Sequence, residues 1–280
     1  MPLKKAVSLA SKQDLAEHMM QEHRISARKA CNAVKIDRKK WSYKSVRKRT
    51  DDNVIEGLTA MTEKHPSIGF WQCYFRLRKQ GLADNHKRMY RIYTSMKLNI
   101  RRRVKKRLPA RVKQMLYQPE APNKVWSIDF MTDSLWHGRT FRTLNVIYDF
   151  NRRVLAIEAD TSLPALRVIR VLERLKQSRG LPEMIRVDNG PEFISAKLDI
   201  WCKDHHIKLV FIQPGEPTEN AYIERFNGSF RRELLNAYVF RSLKEFRELA
   251  EEYIQDYNNH RPHKALNYLT PVEYEQLEIR

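Results

Sequence analysis

The second half of this chain is predicted to be α/β: a mixed five-stranded sheet flanked by helices, preceded by small all-helical segments. Three observations carry the prediction. Strand-forming runs begin only near residue 125, three in succession and then alternating with helices. The residues before that point are written in helix caps and three- and four-residue apolar spacing. Charge divides at the same place. Residues 1–124 hold 31 Lys and Arg against 10 Asp and Glu, whereas residues 125–280 hold 22 against 23. The net charge of +20 therefore sits in the first block, the electrostatic footprint of a polyanion-binding module.

The first segment, 1–50, reads as three short helices. Asp14 is placed to cap the first, over 15–20; Ser26 caps the second, over 27–34; Asp37 caps the third, over 38–44. Two short helices joined by a tight turn have the form of a helix-turn-helix, so Arg38, Lys39 and Lys40 are expected to face DNA. A second helix-turn-helix-like unit spans 51–100. Val54, Leu58 and Met61 recur at helical spacing, the run from His65 to Gly69 breaks the chain, and a helix follows over 70–79. Asn85 then caps a helix whose stripe of Met89, Ile92, Tyr93 and Met96 belongs in a core. Lys87, Arg88 and Arg91 flank that stripe and are expected at DNA. Residues 101–124 form a basic, proline-containing linker. Arg101, Arg102 and Arg103 open a run of six charges in seven residues, too dense to bury and suited to tracking a phosphate backbone or spacing two domains.

The last domain, 125–280, has strands expected at 125–129, 142–150, 154–159, 184–187 and 208–212. Pro164 starts a helix with Leu166, Ile169, Leu172 and Leu175 on one face, closed by Gly180. Further helices are expected over 193–205, 218–238 and 242–258. Hydrophobic residues make up 42% of the chain, enough for a packed core. No apolar run approaches the length of a membrane span, and the N-terminus lacks a signal-peptide core. Cys31, Cys73 and Cys202 form neither a disulfide framework nor a zinc-ligand pair. A reducing cytosol is the expected location.

Three acids carry the chemistry. Asp129 ends the apolar run from Trp126, Asp188 ends the run from Met184, and Glu224 lies inside a helix with 35 residues between it and Asp188. Two strand-end carboxylates and one helical carboxylate can converge on a pair of hard cations, the arrangement phosphoryl transfer uses. Strand-end acids beside apolar runs are costly unless they have a partner. Asn220, Asn227, Gly228 and Arg231 share the face of Glu224. Gly228 is expected to admit a DNA backbone, and Asn227 and Arg231 to contact phosphate or a flanking base. Glu192 reads as a supporting or helix-start acid rather than a fourth ligand, Asp133 as a turn residue, and Trp136 and Trp201 as packing aromatics. His260 and His263 have no further Cys or His beside them, so packing or DNA contact is expected of them rather than metal.

Three blocks carry a resemblance. Trp126-Ser127-Ile128-Asp129-Phe130, Val187-Asp188-Asn189-Gly190-Pro191-Glu192-Phe193, and the stretch from Gln213 to Gly228 containing Asn220-Ala221-Tyr222-Ile223-Glu224-Arg225-Phe226-Asn227-Gly228 resemble the retroviral-integrase-like DDE transposases. The segment from Tyr257 to Leu266, with Thr270-Pro271, fits as well. Within that superfamily the chain looks like the second-frame protein of the third insertion-sequence family. The resemblance implies a ribonuclease-H-like core, with Asp129, Asp188 and Glu224 as catalytic metal ligands and Asn189, Glu192 and Asn220 supporting them. It implies two Mg²⁺ ions, with Mn²⁺ able to substitute. It also implies cleavage and strand transfer at double-stranded element ends, passing through a bridged intermediate and a circle that integrates. Further, it implies a dimer or higher homo-oligomer on paired ends, and an upstream-frame partner supplying a helix-turn-helix and coiled coil. The zinc-binding domain of retroviral integrases has no counterpart in the sequence. Two alternatives stand beside this reading: a DNA-binding regulator or assembly subunit, silent without its fused partner, and a nuclease that hydrolyses without joining.

Overall fold

A computed structural model describes residues 9–43, 47–100, 118–212 and 220–278 of the chain. Arg101, Arg102, Arg103 and most of the basic linker lie outside the described residues, as does the start of the third sequence block. The chain divides into two compact units, 1–53 and 54–280.

In the first unit, α1 (Leu9–His23), α2 (Ala27–Ala33) and α3 (Arg38–Ser42) bury Ala16, Ala30, Cys31 and Ile36. Asp37 caps α3 by accepting from the Lys39 N–H, as expected. Two expected caps fail. Asp14 lies inside α1, which begins five residues earlier, and the Ser26 side chain makes no capping bond. Helix α3 is only five residues long, and Arg38, Lys39 and Lys40 are all exposed on it. The boundary between the units falls within α4 (Arg47–Lys64).

The second unit opens with α4, α5 (Phe70–Lys79) and α6 (His86–Ser95). Their apolar stripes meet in one cluster around Leu58, Cys73, Leu77, Met89, Ile92 and Tyr93. Asn85 caps α6 by accepting from the Lys87 and Arg88 N–H groups. Lys87 and Arg91 are exposed on the outer face of α6 and Arg88 is half-buried.

The sheet follows: β1 (Val125–Ser134), β2 (Thr140–Tyr148), β3 (Val154–Asp160), β4 (Met184–Val187) and β5 (Lys208–Phe211), in the order β3-β2-β1-β4-β5. Strands β1–β3 are antiparallel neighbours; β4 and β5 add in parallel beside β1. The expected mixed five-stranded sheet is therefore present. Helices α7 (Ala165–Arg179) and α8 (Ala196–Asp204) are two of the sheet's cover elements. The others are α9 (Ala221–Phe230), a π-helical turn over Arg231–Leu235, and α10 (Leu243–Asn259); α11 (Pro271–Glu278) closes the described chain. Period-two alternation explains the layering. Trp126, Ile128, Leu144, Val146, Ile185 and Val187 join the core built with α7 and α8. Ile147, Phe141 and Val154 face the other way, into the core built with α9 and α10. Gly180 ends α7 at φ +78°, a conformation L side chains resist. Among the described residues no helix is long and apolar enough to cross a membrane.

Helices α4–α6 do not stand apart from the sheet domain. Arg76 on α5 donates from both terminal nitrogens to Asp256 on α10, at 2.7 and 2.6 Å, and Phe75 stacks on Tyr268 with centroids 4.0 Å apart. The change of sequence pattern near residue 124 marks a change of element type.

Candidate active site

Strand β1 is central, and its two partners end at different places. The antiparallel ladder to β2 runs the full length from Trp126 to Ser134, whereas the parallel ladder to β4 stops at Ser127↔Arg186. Asp129 thus lies inside β1, not at its end as expected, two residues past its last parallel pairing. Asp133 is likewise a strand residue rather than a turn residue. Continuing the same register by two residues sets Asp129 beside Asp188, which follows the last residue of β4. The two carboxylates therefore share the opening where adjacent parallel strands part, the usual place for a ligand in an open α/β sheet.

Glu224 enters from above, exposed in the first turn of α9, where the helix dipole favours negative charge. The three acids meet electrostatically at Asp129. Its carboxyl is pushed up to about 6, first by burial, against the pull of the Phe130 N–H bond. The charges of Asp188 and then Glu224 raise it further, with the Asn227 bond opposing them. A half-buried carboxylate facing two like charges is an environment a divalent cation would relieve, and its donors are the hard oxygens Mg²⁺ prefers. Among the described residues no three His, Cys, Asp or Glu side chains close tightly enough to form a finished ion cage.

Each strand acid is oriented by its own neighbours. Asp129 Oδ1 accepts from the Phe130 N–H at 2.8 Å, and Oδ2 accepts from Asn227 Nδ2 at 2.7 Å. Asn145, the residue paired with Asp129 across the β1–β2 ladder, donates to Asn227 Oδ1 at 2.7 Å. Asp188 Oδ1 accepts from the Gly190 N–H at 3.0 Å. A side chain at Gly190 would put its Cβ 3.0 Å from that same oxygen, a tight contact that would press on the Asp188 carboxylate.

Two residues expected at DNA have partners within the fold. Asn227 is only 8% exposed, and its amide is spent between Asp129 and Asn145. Arg231 donates to the Thr132 carbonyl at 2.9 Å and pairs with Asp133 at 3.6 Å, which fastens the end of α9 to β1. Both reach polar groups of the sheet, and the Arg231 side chain stays 41% exposed. Asn227→Ala is expected to leave the fold intact and to cut turnover by about 10–100-fold, the usual cost of losing a group that orients a metal-binding carboxylate. Single-turnover kinetics would check it, and wild-type rates would remove Asn227 from the site.

Of the expected supporting residues, Glu192 pairs with Arg142, whose hydrogen bond holds its carboxyl below the usual glutamate range. Arg142 lies over the Phe130 ring, 4.4 Å from its centroid, and Phe130 stacks on Phe193 at 4.9 Å. This packing ties the Asp188 loop to the residue after Asp129. Asn189 donates to the Ile212 carbonyl at 3.0 Å and so holds the end of β5. Asn220 is buried at the N-terminus of α9 and makes no side-chain capping bond. His263 is packed against Tyr257 at 4.9 Å, and burial pulls its pKa down to about 3; His260 is exposed.

The integrase core domain family matches residues 119–217 and, in a second form, 205–271. An uncharacterized 31.7 kDa protein of insertion element IS407 from Burkholderia multivorans is 39% identical over 250 residues, covering 89% of this chain and 90% of its own. A 39.2 kDa protein of insertion element IS476 from Xanthomonas euvesicatoria is 33% identical over 270 residues, covering 96% and 78%. The chain belongs to the insertion-sequence transposases of the retroviral-integrase-like DDE superfamily.

The transposase is accordingly a polynucleotidyl transferase acting in DNA transposition and integration. Its fold is ribonuclease-H-like. A simian T-cell lymphotropic virus intasome in complex with a PP2A regulatory subunit aligns with a TM-score of 0.51 and 16% identity, over 69% of this chain and 67% of that one. Sequence reasoning missed one polar network in the transposase. Asp149, fully buried, accepts from Arg186 Nη1 at 2.6 Å and from Ser127 Oγ at 2.5 Å. Ser127 and Arg186 stand two residues before Asp129 and Asp188, on the same face of the sheet. The available signal was the strict polar alternation within Trp126-Ser127-Ile128-Asp129, which shows that this face of β1 is not apolar.

Proposed function

We propose that the transposase cleaves DNA at its element ends and joins the strands it frees, with Asp129, Asp188 and Glu224 holding divalent cations. One observation carries this reading: the half-buried Asp129 stands beside Asp188 at the parting of two parallel strands, and α9, which carries Glu224, reaches it through Asn227. Two Mg²⁺ ions held by these side chains, or Mn²⁺ in their place, would neutralise the attacking and leaving oxygens of a phosphodiester. The chain's own residues supply the rest. The Phe130 N–H and Asn227 fix the two oxygens of Asp129, Gly190 fixes Asp188, and the Arg142–Glu192 pair braces the loop between β4 and α8. Arg38, Lys39, Lys40, Lys87, Arg88 and Arg91 would hold double-stranded DNA through its phosphates, at the nucleoid of a bacterial-type cytoplasm. Handling two ends together calls for a dimer or larger homo-oligomer, with an upstream-frame helix-turn-helix and coiled-coil protein as a further partner.

Gly228 supports the same reading. It lies one helical turn beyond Glu224 on the same face of α9, and among the described residues a Cβ there would meet only the Arg232 side chain, at 3.6 Å. Nothing in the fold demands a glycine at that position. Gly228→Ala is therefore expected to raise helix stability by up to about 1 kcal/mol while lowering strand joining at least about tenfold by crowding the DNA. Thermal melts and a joining assay would show it, and an alanine variant with unchanged joining would refute the close approach.

A second reading, a subunit silent until fused or assembled, is favoured by the unfinished ion cage. One assay separates the possibilities: the full chain, Mg²⁺ or Mn²⁺, and labelled DNA carrying the element ends. Joined products establish the transferase. Cleavage without joining establishes a nuclease. Salt-sensitive binding without products establishes the silent subunit.

A further inference from the structure

A groove of about 740 Å³ lies between the start of α5, the face of α6 and the π-helical turn after α9. Phe70, Trp71, Gln72, Tyr90, Tyr93 and Arg232 are among its lining residues. Two of these rings are open to solvent: Trp71 is 47% and Tyr90 51% exposed. Large exposed aromatics usually mark a binding surface. They are held edge-on to Phe70, whose ring centroid is 5.2 Å from Trp71 and 5.0 Å from Tyr90, so both are positioned rather than loose. Gln72 adds a buried side-chain oxygen that has no hydrogen-bond partner among the described residues.

The groove connects to the active site along α9. Glu224, Gly228 and Arg232 follow one another at four-residue steps on one face. Arg232 is exposed and folds back over Gly228, within 3.6 Å of where a Cβ would stand, and donates to Ser229 Oγ at 3.3 Å. No carboxylate pairs with it among the described residues; the neighbouring Glu233 is taken by Arg261. Arg232 stands eight residues beyond Glu224, on the order of 10 Å along the helix axis.

We infer that this groove takes an unstacked nucleotide of the DNA strand that passes Glu224, with Trp71 and Tyr90 stacking the base and Arg232 holding its phosphate. The inference rests on the triad reading for the path of the strand. Aromatic rings beside a free cation match the chemistry of single-stranded nucleic acid, and they read no sequence because every base has a π-face. A chain with a net charge of +20 favours such a polyanion over an apolar protein segment.

The test uses the full chain in EDTA, so that cleavage plays no part. A single-stranded oligonucleotide carrying 5-iodouracil is compared with its blunt duplex. Ultraviolet cross-links to the single strand are expected at Trp71 or Tyr90. Tyr90→Ala and Trp71→Leu are expected to weaken single-strand binding on the order of tenfold each, and to change duplex binding less than about twofold. Arg232→Gln should weaken the single strand and flatten its salt dependence. Tyr90 is half exposed, so its variant reports even where Trp71→Leu disturbs packing, and far-ultraviolet circular dichroism identifies that case. Cross-links that map elsewhere, equal losses on both DNAs, no single-strand binding by the parent chain, or a variant whose main effect is an altered oligomeric state would each overturn the assignment. None of these outcomes bears on the three acids, whose test is cleavage.

Discussion

Asp129→Asn is expected to abolish cleavage and joining, by at least about 10³-fold, and at the same time to stabilise the metal-free chain at neutral pH. Both effects follow from one environment. Folding raises the Asp129 carboxyl from an ordinary aspartate value to about 6, chiefly by burial and also through Asp188 and Glu224. The folded state therefore binds the proton more tightly than the unfolded state. Its contribution to stability is present at low pH and is lost as the pH rises through the interval from about 4 to 6. At pH 7 the ionised carboxylate costs up to about 3 kcal/mol, the equivalent of roughly two pH units. Asparagine has no charge to bury, and its side-chain oxygen still accepts a hydrogen bond. A gain of about 1–2 kcal/mol is thus expected for the variant in EDTA at pH 7, vanishing near pH 4. Mg²⁺ should raise the melting temperature of the parent chain and leave the variant unmoved. Asp188→Asn and Glu224→Gln should match the loss of activity and lower the apparent pKa of Asp129, each by removing a like charge. A variant that cleaves within tenfold of the parent, or an Asp129→Asn chain that is less stable at pH 7, would sink the assignment.

Arg186→Met is expected to destabilise the second unit by about 3–5 kcal/mol, the usual cost of stranding a buried charge. Asp149 is wholly buried, and burial alone raises its carboxyl; Arg186 at 2.6 Å and the Ser127 hydroxyl work against that. Removing the guanidinium leaves the carboxylate with the hydroxyl and the weaker pull of the Arg152 charge. Adding Asp149→Leu to the same chain should recover most of the loss, because an apolar pair of similar volume has nothing to desolvate. Urea denaturation of the single and double variants measures both. A single variant within 1 kcal/mol of the parent would show that the pair holds nothing. Because Ser127 and Arg186 precede the two strand acids by one sheet repeat, the variant folded at low temperature should also turn over more slowly.

Much of this architecture was legible along the chain. Helix ends announced themselves where a side chain could cap its own backbone, at Asp37 and Asn85. The five strands were found from β-forming runs, and β4 matched its expected bounds of 184–187. Errors arose where a distant partner decides. β1 continues past Asp129 to Ser134 because β2 pairs with it throughout, and no local pattern contains that pairing. Asn227 and Arg231 share the face of Glu224 by helical spacing, yet both are bonded to the sheet beneath α9, which helical spacing does not show.

By itself, then, the sequence determined the class of the fold, the three acids and the segregation of positive charge, because each depends on residue type and short-range spacing. Tertiary structure alone decided which polar groups serve the site. Asn145 becomes part of it by lying opposite Asp129 on the next strand, and Arg186 by standing under Asp149, 37 residues away in the chain. Helices α4–α6 join the sheet domain through Arg76 and Asp256, 180 residues apart. Hydrogen bonds and ion pairs depend on distance in space, and chain spacing sets that distance only within one helix or strand.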